Sequence, residues 1–119
     1  MGAFEVNVTV ANPAAPERSA TVQLLVDTGA TLPWIPRSVL ESLGVQSVAR
    51  RTVLLADGRR VTRDTGIVML SFDGVPVGVT VVFAELGDGS VLGVTALEQL
   101  GVAVDPVEKK LLPRDLLAL

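Results

Sequence analysis

Phe4, Val6, Val8 and Val10 alternate with polar residues, the period-two pattern of a half-buried strand. Asn12 to Ser19 holds two prolines and predicts a loop. A second strand is expected over Ala20 to Val26. Its end, Leu24-Leu25-Val26, is apolar on both faces, which implies burial on both sides. Asp27-Thr28-Gly29-Ala30-Thr31 follows at once as a loop. Pro33-Trp34-Ile35-Pro36 then leads into a short helix. Pro36 suits its first position, Gly44 suits its C-terminal cap, and Val39, Leu40 and Leu43 make its apolar stripe.

Three strands are expected next, over Val45 to Ala56, Arg59 to Phe72 and Val75 to Ala84. Asp-Gly turns join them at Asp57-Gly58 and Asp73-Gly74, and the first favours a type I′ hairpin. Glu85 to Ser90 is a polar loop, and Val91-Leu92-Gly93 is short and apolar. Thr95 and Glu98 stand at capping-box spacing, so Thr95 is the expected N-cap of a helix that ends at Gly101. A last hairpin runs from Val102 to Asp105 and from Lys109 to Leu112. No linker or low-complexity stretch interrupts the pattern, so the expectation is one domain over residues 1–119.

Composition sharpens this picture. Val supplies 21 of the 119 residues, against 3 Phe, 1 Trp and no Tyr. Such β-branched enrichment favours strands, and the fold class is mostly β. The absences matter more. With no His and no Cys, a Ser-His-Asp triad, a Cys-His pair and any His- or Cys-ligated metal are excluded. Proton transfer near neutral pH falls to Asp, Glu or a perturbed Lys. The net charge of −3 and the pI near 4.8 argue against a nucleic-acid partner. No apolar run approaches the roughly 20 residues of a membrane-spanning helix. Met1-Gly2-Ala3-Phe4-Glu5 lacks the pattern of a signal peptide. A soluble, cytoplasmic protein without a membrane partner is expected.

Asp27 is the residue with chemical promise. A carboxylate directly after Leu24-Leu25-Val26 stands at the edge of a buried strand, and burying it is costly unless it is hydrogen-bonded or shares a proton. Gly29, without a Cβ, lets another backbone or a substrate approach. Taken alone, an Asp-Thr-Gly triplet is most often a strand-ending turn. The chain itself holds a second copy, Asp64-Thr65-Gly66. That copy follows Thr62-Arg63, not an apolar run, and reads as a solvent-facing part of a hairpin with Gly66 as a bulge position.

The first copy differs in its company. Leu24-Leu25-Val26-Asp27-Thr28-Gly29-Ala30-Thr31, followed at a distance by Val91-Leu92-Gly93 and a helix, resembles the retropepsin-type aspartic proteases. The resemblance covers roughly Phe4 to Pro113. It implies a small closed β-barrel of the single-lobe acid-protease type, with a short helix after the catalytic loop and one C-terminal helix. It implies an aspartic endopeptidase that works as a homodimer on peptide or protein substrates and needs no cofactor or metal. By the same resemblance, Asp27, Thr28 and Gly29 are the catalytic-loop residues. Thr28 would bond across the dimer axis, and Gly29 would accept substrate backbone through its carbonyl. Ala30 and Thr31, with Ala56, Asp57 and Gly58 of a flap hairpin, are expected to bind substrate. The alternative is a fold relative that binds or dimerises without catalysis.

The chain also departs from the family pattern. Its flap is basic, with Arg50, Arg51, Arg59, Arg60 and Arg63 near the tip. These are either ordinary surface charge or a preference for acidic substrates or partners. Val94-Thr95 replaces the polar pair that relatives often carry, leaving the support of the catalytic loop open. Leu116-Leu117-Ala118-Leu119 either interleaves with a partner's tail or packs on its own subunit. Trp34 either lines the substrate pocket or covers the core.

Overall fold

The first hairpin runs further than its prolines suggest. In the computed structural model, which describes residues 3–116, β1 is Glu5–Asn12 and β2 is Ala15–Val26, joined by a turn at Pro13 and Ala14. The loop expected over Asn12 to Ser19 is therefore mostly strand. Its register shifts there, with Ala11 opposite Ser19 and Asn12 opposite Ala15, so Pro16 stands in an irregular, exposed stretch. Proline has no N–H for a ladder, and a bulge removes that demand. The Asn12 side chain closes the turn by accepting the Ala14 N–H at 2.9 Å, and it donates to the Leu43 carbonyl at 2.9 Å.

That carbonyl ends the first helix. After β3 (Trp34–Pro36), α1 spans Arg37–Ser42, with Pro36 as its N-cap and not its first residue. The Gly44 N–H donates to the Glu41 carbonyl and the Val45 N–H to the Leu40 carbonyl, both at 3.0 Å. This paired closure requires a left-handed residue, and Gly44 supplies φ +77°. Val45 is thus spent on ending the helix, so β4 begins only at Ala49 and runs to Leu54.

β5 (Arg60–Phe72) and β6 (Val75–Ala84) complete the expected meander, but the two Asp-Gly turns differ. Asp73 and Gly74 both have positive φ, 52° and 82°, as a type I′ turn requires. At the other turn only Gly58 does. The Gly58 N–H reaches the Leu55 carbonyl at 3.0 Å and the Leu55 N–H reaches the Arg59 carbonyl at 2.8 Å, which makes a three-residue loop with Gly58 at the bulge. Asp57 keeps ordinary φ and instead accepts the Arg59 N–H at 3.0 Å and its Nε at 2.7 Å. The type I′ expectation is therefore corrected at Asp57-Gly58.

β7 (Val91–Leu92), α2 (Val94–Leu100), β8 (Val102–Asp105) and β9 (Lys110–Pro113) follow. The main sheet has the order β1-β2-β7-β3-β6-β5-β4, and a β1–β5 pairing closes six of its strands into a ring. Only β4 hangs outside, paired with β5. β7 lies parallel to β2 and antiparallel to β3, so the chain leaves β2 at Val26 and returns on the other side of β7. Val8, Val10, Leu24, Ile35, Val68, Leu70, Val81, Phe83 and Leu92 fill the ring, each under 3% exposed. Burying a side chain of that size stabilises by about 1.5–3 kcal/mol. Ala96, Leu97 and Leu100 of α2 and Leu40 of α1 join the same core.

The capping box does not form. Gly93 is the N-cap of α2 without a side-chain hydrogen bond, because the Thr95 hydroxyl is used elsewhere. The second Asp-Thr-Gly copy is also not solvent-facing. Thr65 is 2% exposed and Gly66 is buried. β5 keeps unbroken register through Gly66 opposite Val81, so there is no bulge. A Cβ on Gly66 would stand 2.9 Å from both the Gln46 carbonyl and the Phe83 ring.

β8 and β9 form a separate two-stranded sheet. Arg114 folds back on its own chain, its N–H donating to the Gly101 carbonyl at 2.8 Å, and Leu116 beyond it is exposed. Leu117 to Leu119, and Met1-Gly2 at the other end, lie outside the described residues. Among the described residues, no helix is long and apolar enough to cross a membrane.

Candidate active site

Asp27 stands where β2 ends beside β7. Its N–H donates to the Leu92 carbonyl at 3.3 Å, and its own carbonyl accepts the Ala30 N–H at 3.3 Å. One carboxylate oxygen, Oδ1, accepts the Gly29 N–H at 2.9 Å. The loop is thus wound around the carboxylate and fixes its direction. Thr28 and Gly29 are exposed and Asp27 is half-buried.

The far side of the loop is held by α2. The Val94 N–H donates to the Ala30 carbonyl at 2.8 Å and the Thr95 N–H to the Thr31 carbonyl at 3.0 Å. The Thr95 hydroxyl adds a second bond to the Thr31 carbonyl at 3.0 Å. The first N–H groups of a helix lack partners within it, so they serve a loop that offers carbonyls. Val94 therefore costs the loop no support, since the backbone supplies it.

Above this floor lies a groove of about 680 Å³. Asp27, Gly29, Ala30, Thr31, Leu32 and Trp34 form its base, and Gly87, Asp88, Gly89 and Val91 one wall. The β4 arm overhangs it from Arg51 to Ala56, with Arg59 on the returning side. Among the residues expected from sequence, Asp27, Gly29, Ala30, Thr31 and Ala56 line this groove, and Thr28, Asp57 and Gly58 do not. Trp34 lines the groove, resolving the two readings of it.

Ion pairs pin the base of the β4–β5 hairpin. Arg63 grips Asp88 through two hydrogen bonds of 2.8 and 2.9 Å, and Asp88 also accepts the Glu85 N–H at 2.7 Å. Arg37 joins Asp64 to Glu85, with its guanidinium 4.9 Å from the centre of the Phe83 ring, and Arg50 closes on Asp64 at 2.9 Å. Hydrogen bonds from Arg37 hold the Asp64 and Glu85 carboxyls below their ordinary range, and Arg63 does the same for Asp88. Sequence reading missed this cluster, because the partners of Arg37 lie 27 and 48 positions away.

Two predictions follow from these pairs. All three carboxyls titrate lower in the folded chain than unfolded, so their contribution is complete above the ordinary carboxylate values of about 4. It is lost as pH falls through the depressed values. The thermal midpoint should therefore fall steeply below about pH 4, and Asp88→Asn should flatten that fall. Asp64→Asn should lower the midpoint at neutral pH, since Arg37 and Arg50 lose a charged partner. Its effect on any peptide cleavage should stay within about threefold, because Asp64 does not line the groove. A loss as deep as that from changing Asp27 would assign the chemistry to the wrong triplet.

A family model for aspartyl proteases matches residues 6–106. The chain belongs to the aspartyl protease family. Its fold is similar to that of the EIAV protease solved with the inhibitor HBY-793, with a TM-score of 0.65 and 16% identity over 87% of this chain and 92% of that one. A retropepsin-like aspartic protease from Rickettsia conorii is also similar, with a TM-score of 0.50 and 21% identity over 92% of this chain and 88% of that one. No curated protein matches the chain in sequence. The resemblance carried by Leu24 to Thr31 and Val91 to Gly93 thus holds at the level of family and fold.

Proposed function

We propose that the protein is a homodimeric aspartic endopeptidase, with Asp27 and its symmetry mate as the catalytic pair. The observation that carries this reading is the setting of Asp27. It lies at the floor of a peptide-sized groove, its Oδ1 oriented by the Gly29 N–H, on a loop whose Thr28 and Gly29 are exposed in the single chain. A loop presented in this way suits closure by a second copy.

Each chain supplies one carboxyl group. Two carboxyls within hydrogen-bonding distance resist joint ionisation and share one proton, titrating as a coupled pair. The ionised member takes a proton from a water held between them, and the water oxygen attacks the peptide carbonyl. The protonated member hydrogen-bonds the carbonyl oxygen as it gains charge. Collapse of the tetrahedral intermediate expels the amine, which takes up a proton from the pair. Thr28 braces the two loops across the axis, and Ala56, Asp57 and Gly58 belong to a flap that closes over the substrate.

The test is cleavage of a diverse peptide library from acidic to neutral pH over a dilution series of the protein. Specific activity should fall on dilution as dimers dissociate. Absence of cleavage in a sample shown to be dimeric would overturn the reading. Activity per chain that persisted in a sample shown to be monomeric would do so as well.

A further inference from the structure

We infer that Arg51 makes the groove selective for peptides with an acidic side chain close to the scissile bond. The inference rests on the groove being the peptide site proposed above, and it concerns which peptides enter.

The hairpin alternates between two faces. Arg51 and Val53 on β4 share a face with Val61, Arg63 and Thr65 on β5, since Arg51 stands opposite Arg63 and Val53 opposite Val61. Arg51 and Thr65 line the groove, as does Asp88, the partner of Arg63. Arg50 belongs to the other face, where it meets Asp64 directly across the ladder.

The groove's other charges are accounted for. Asp88 is committed to Arg63 and to the Glu85 N–H. Arg59 is bound to Asp57. Among the described residues, Arg51 has no carboxylate partner in hydrogen-bond or ion-pair range. It also stands directly opposite another arginine, and like charges facing across a ladder oppose each other. An exposed, unpaired cation is thus held at the wall of the groove. The groove floor carries Asp27, which would repel an acidic peptide. Arg51 offsets that repulsion and offers a planar donor fork matched to a carboxylate. The ligand class is a peptide bearing Glu or Asp within reach of the β4 arm.

Trp34, the only Trp, lines the same groove and reports occupancy by its fluorescence. The experiment uses the full chain carrying Asp27→Asn, so that bound peptide stays intact. Matched peptides differing only by Glu or Gln at each position near the centre are titrated at low salt. The Glu peptide should bind roughly tenfold tighter at one position, as expected for one charge-assisted contact. Arg51→Gln, added to that background, should bring the ratio near one, and Arg51→Glu should invert it. Arg60→Gln, at a residue that does not line the groove, should leave it unchanged. Equal binding of Glu and Gln peptides would overturn the inference. So would a preference that survives Arg51→Gln, or failure of every peptide to bind. Cleavage by the chain with Asp27 intact is read separately. If Arg51-dependent binding stands and no peptide is cut, the proposed protease activity fails and acidic-peptide recognition remains.

Discussion

Asp27→Asn should reduce peptide hydrolysis by at least roughly a thousandfold while leaving the proposed dimer intact. Asn has nearly the same shape, and its side-chain oxygen still accepts the Gly29 N–H, so the loop keeps its course. What it lacks is the capacity to take a proton from water, and positioned proton transfer contributes about 10²–10⁴-fold. Exchange between subunits gives a sharper form of this result. Adding an equal amount of the Asn chain to a fixed amount of wild type should halve the activity, because random pairing leaves roughly a quarter of dimers fully wild type. A mixture in which activity stayed constant would mean that one chain suffices. Sedimentation would confirm that the variant still pairs. Activity within tenfold of wild type in the Asn homodimer would end the two-carboxylate mechanism.

Gly93→Ala should produce a large stability loss. A Cβ there would lie 2.7 Å from the carbonyl carbon and oxygen of Leu32 and 2.9 Å from the Thr31 oxygen. These are backbone atoms, so no rotamer change relieves the clash. Either α2 must move outward or the loop from Thr31 to Leu32 must. Overpacking of this kind costs about 1–3 kcal/mol, and the rigid surroundings place this site at the upper end. The Val94 and Thr95 bonds to Ala30 and Thr31 would stretch in consequence, so Asp27 would lose its register too. Urea denaturation should show an earlier midpoint, with lower activity even in the folded fraction. An unchanged midpoint would mean that the helix and loop are not in the close contact described.

Much of this was legible in the sequence. Period-two alternation from Phe4 to Val10 marked β1, and Val8 and Val10 are indeed the buried pair. Leu24 to Val26 announced a strand inside the fold, and Asp27 after it marked a carboxylate at its edge. The failures have physical causes. Pro16 looked like a loop because the bulge that excuses it is set by a partner strand. Asp64-Thr65-Gly66 looked exposed because its burial depends on Phe83, Arg37 and the Gln46 carbonyl, all distant in sequence. Thr95 has the spacing of a cap, but its hydroxyl finds the Thr31 carbonyl, 64 residues away. Local pattern gives the strands and their faces. Long-range partners decide which polar groups remain free.

The closed ring bears on how the chain is made. β1 and β2 are neighbours in sequence, but Leu25 and Val26 of β2 wait for Val91 and Leu92, and Thr9 to Ala11 of β1 wait for Met69 to Ser71. At synthesis rates of about 5–20 residues per second, the gap between Val26 and Leu92 lasts roughly 3–13 s. Throughout that interval the nascent hairpin presents unpaired strand edges and the apolar faces of Val8, Val10 and Leu24. A chain stopped before Leu92 cannot close, and its exposed edges are templates for aggregation. A stop codon between Val26 and Leu92 therefore removes the ring's closure along with the residues beyond it.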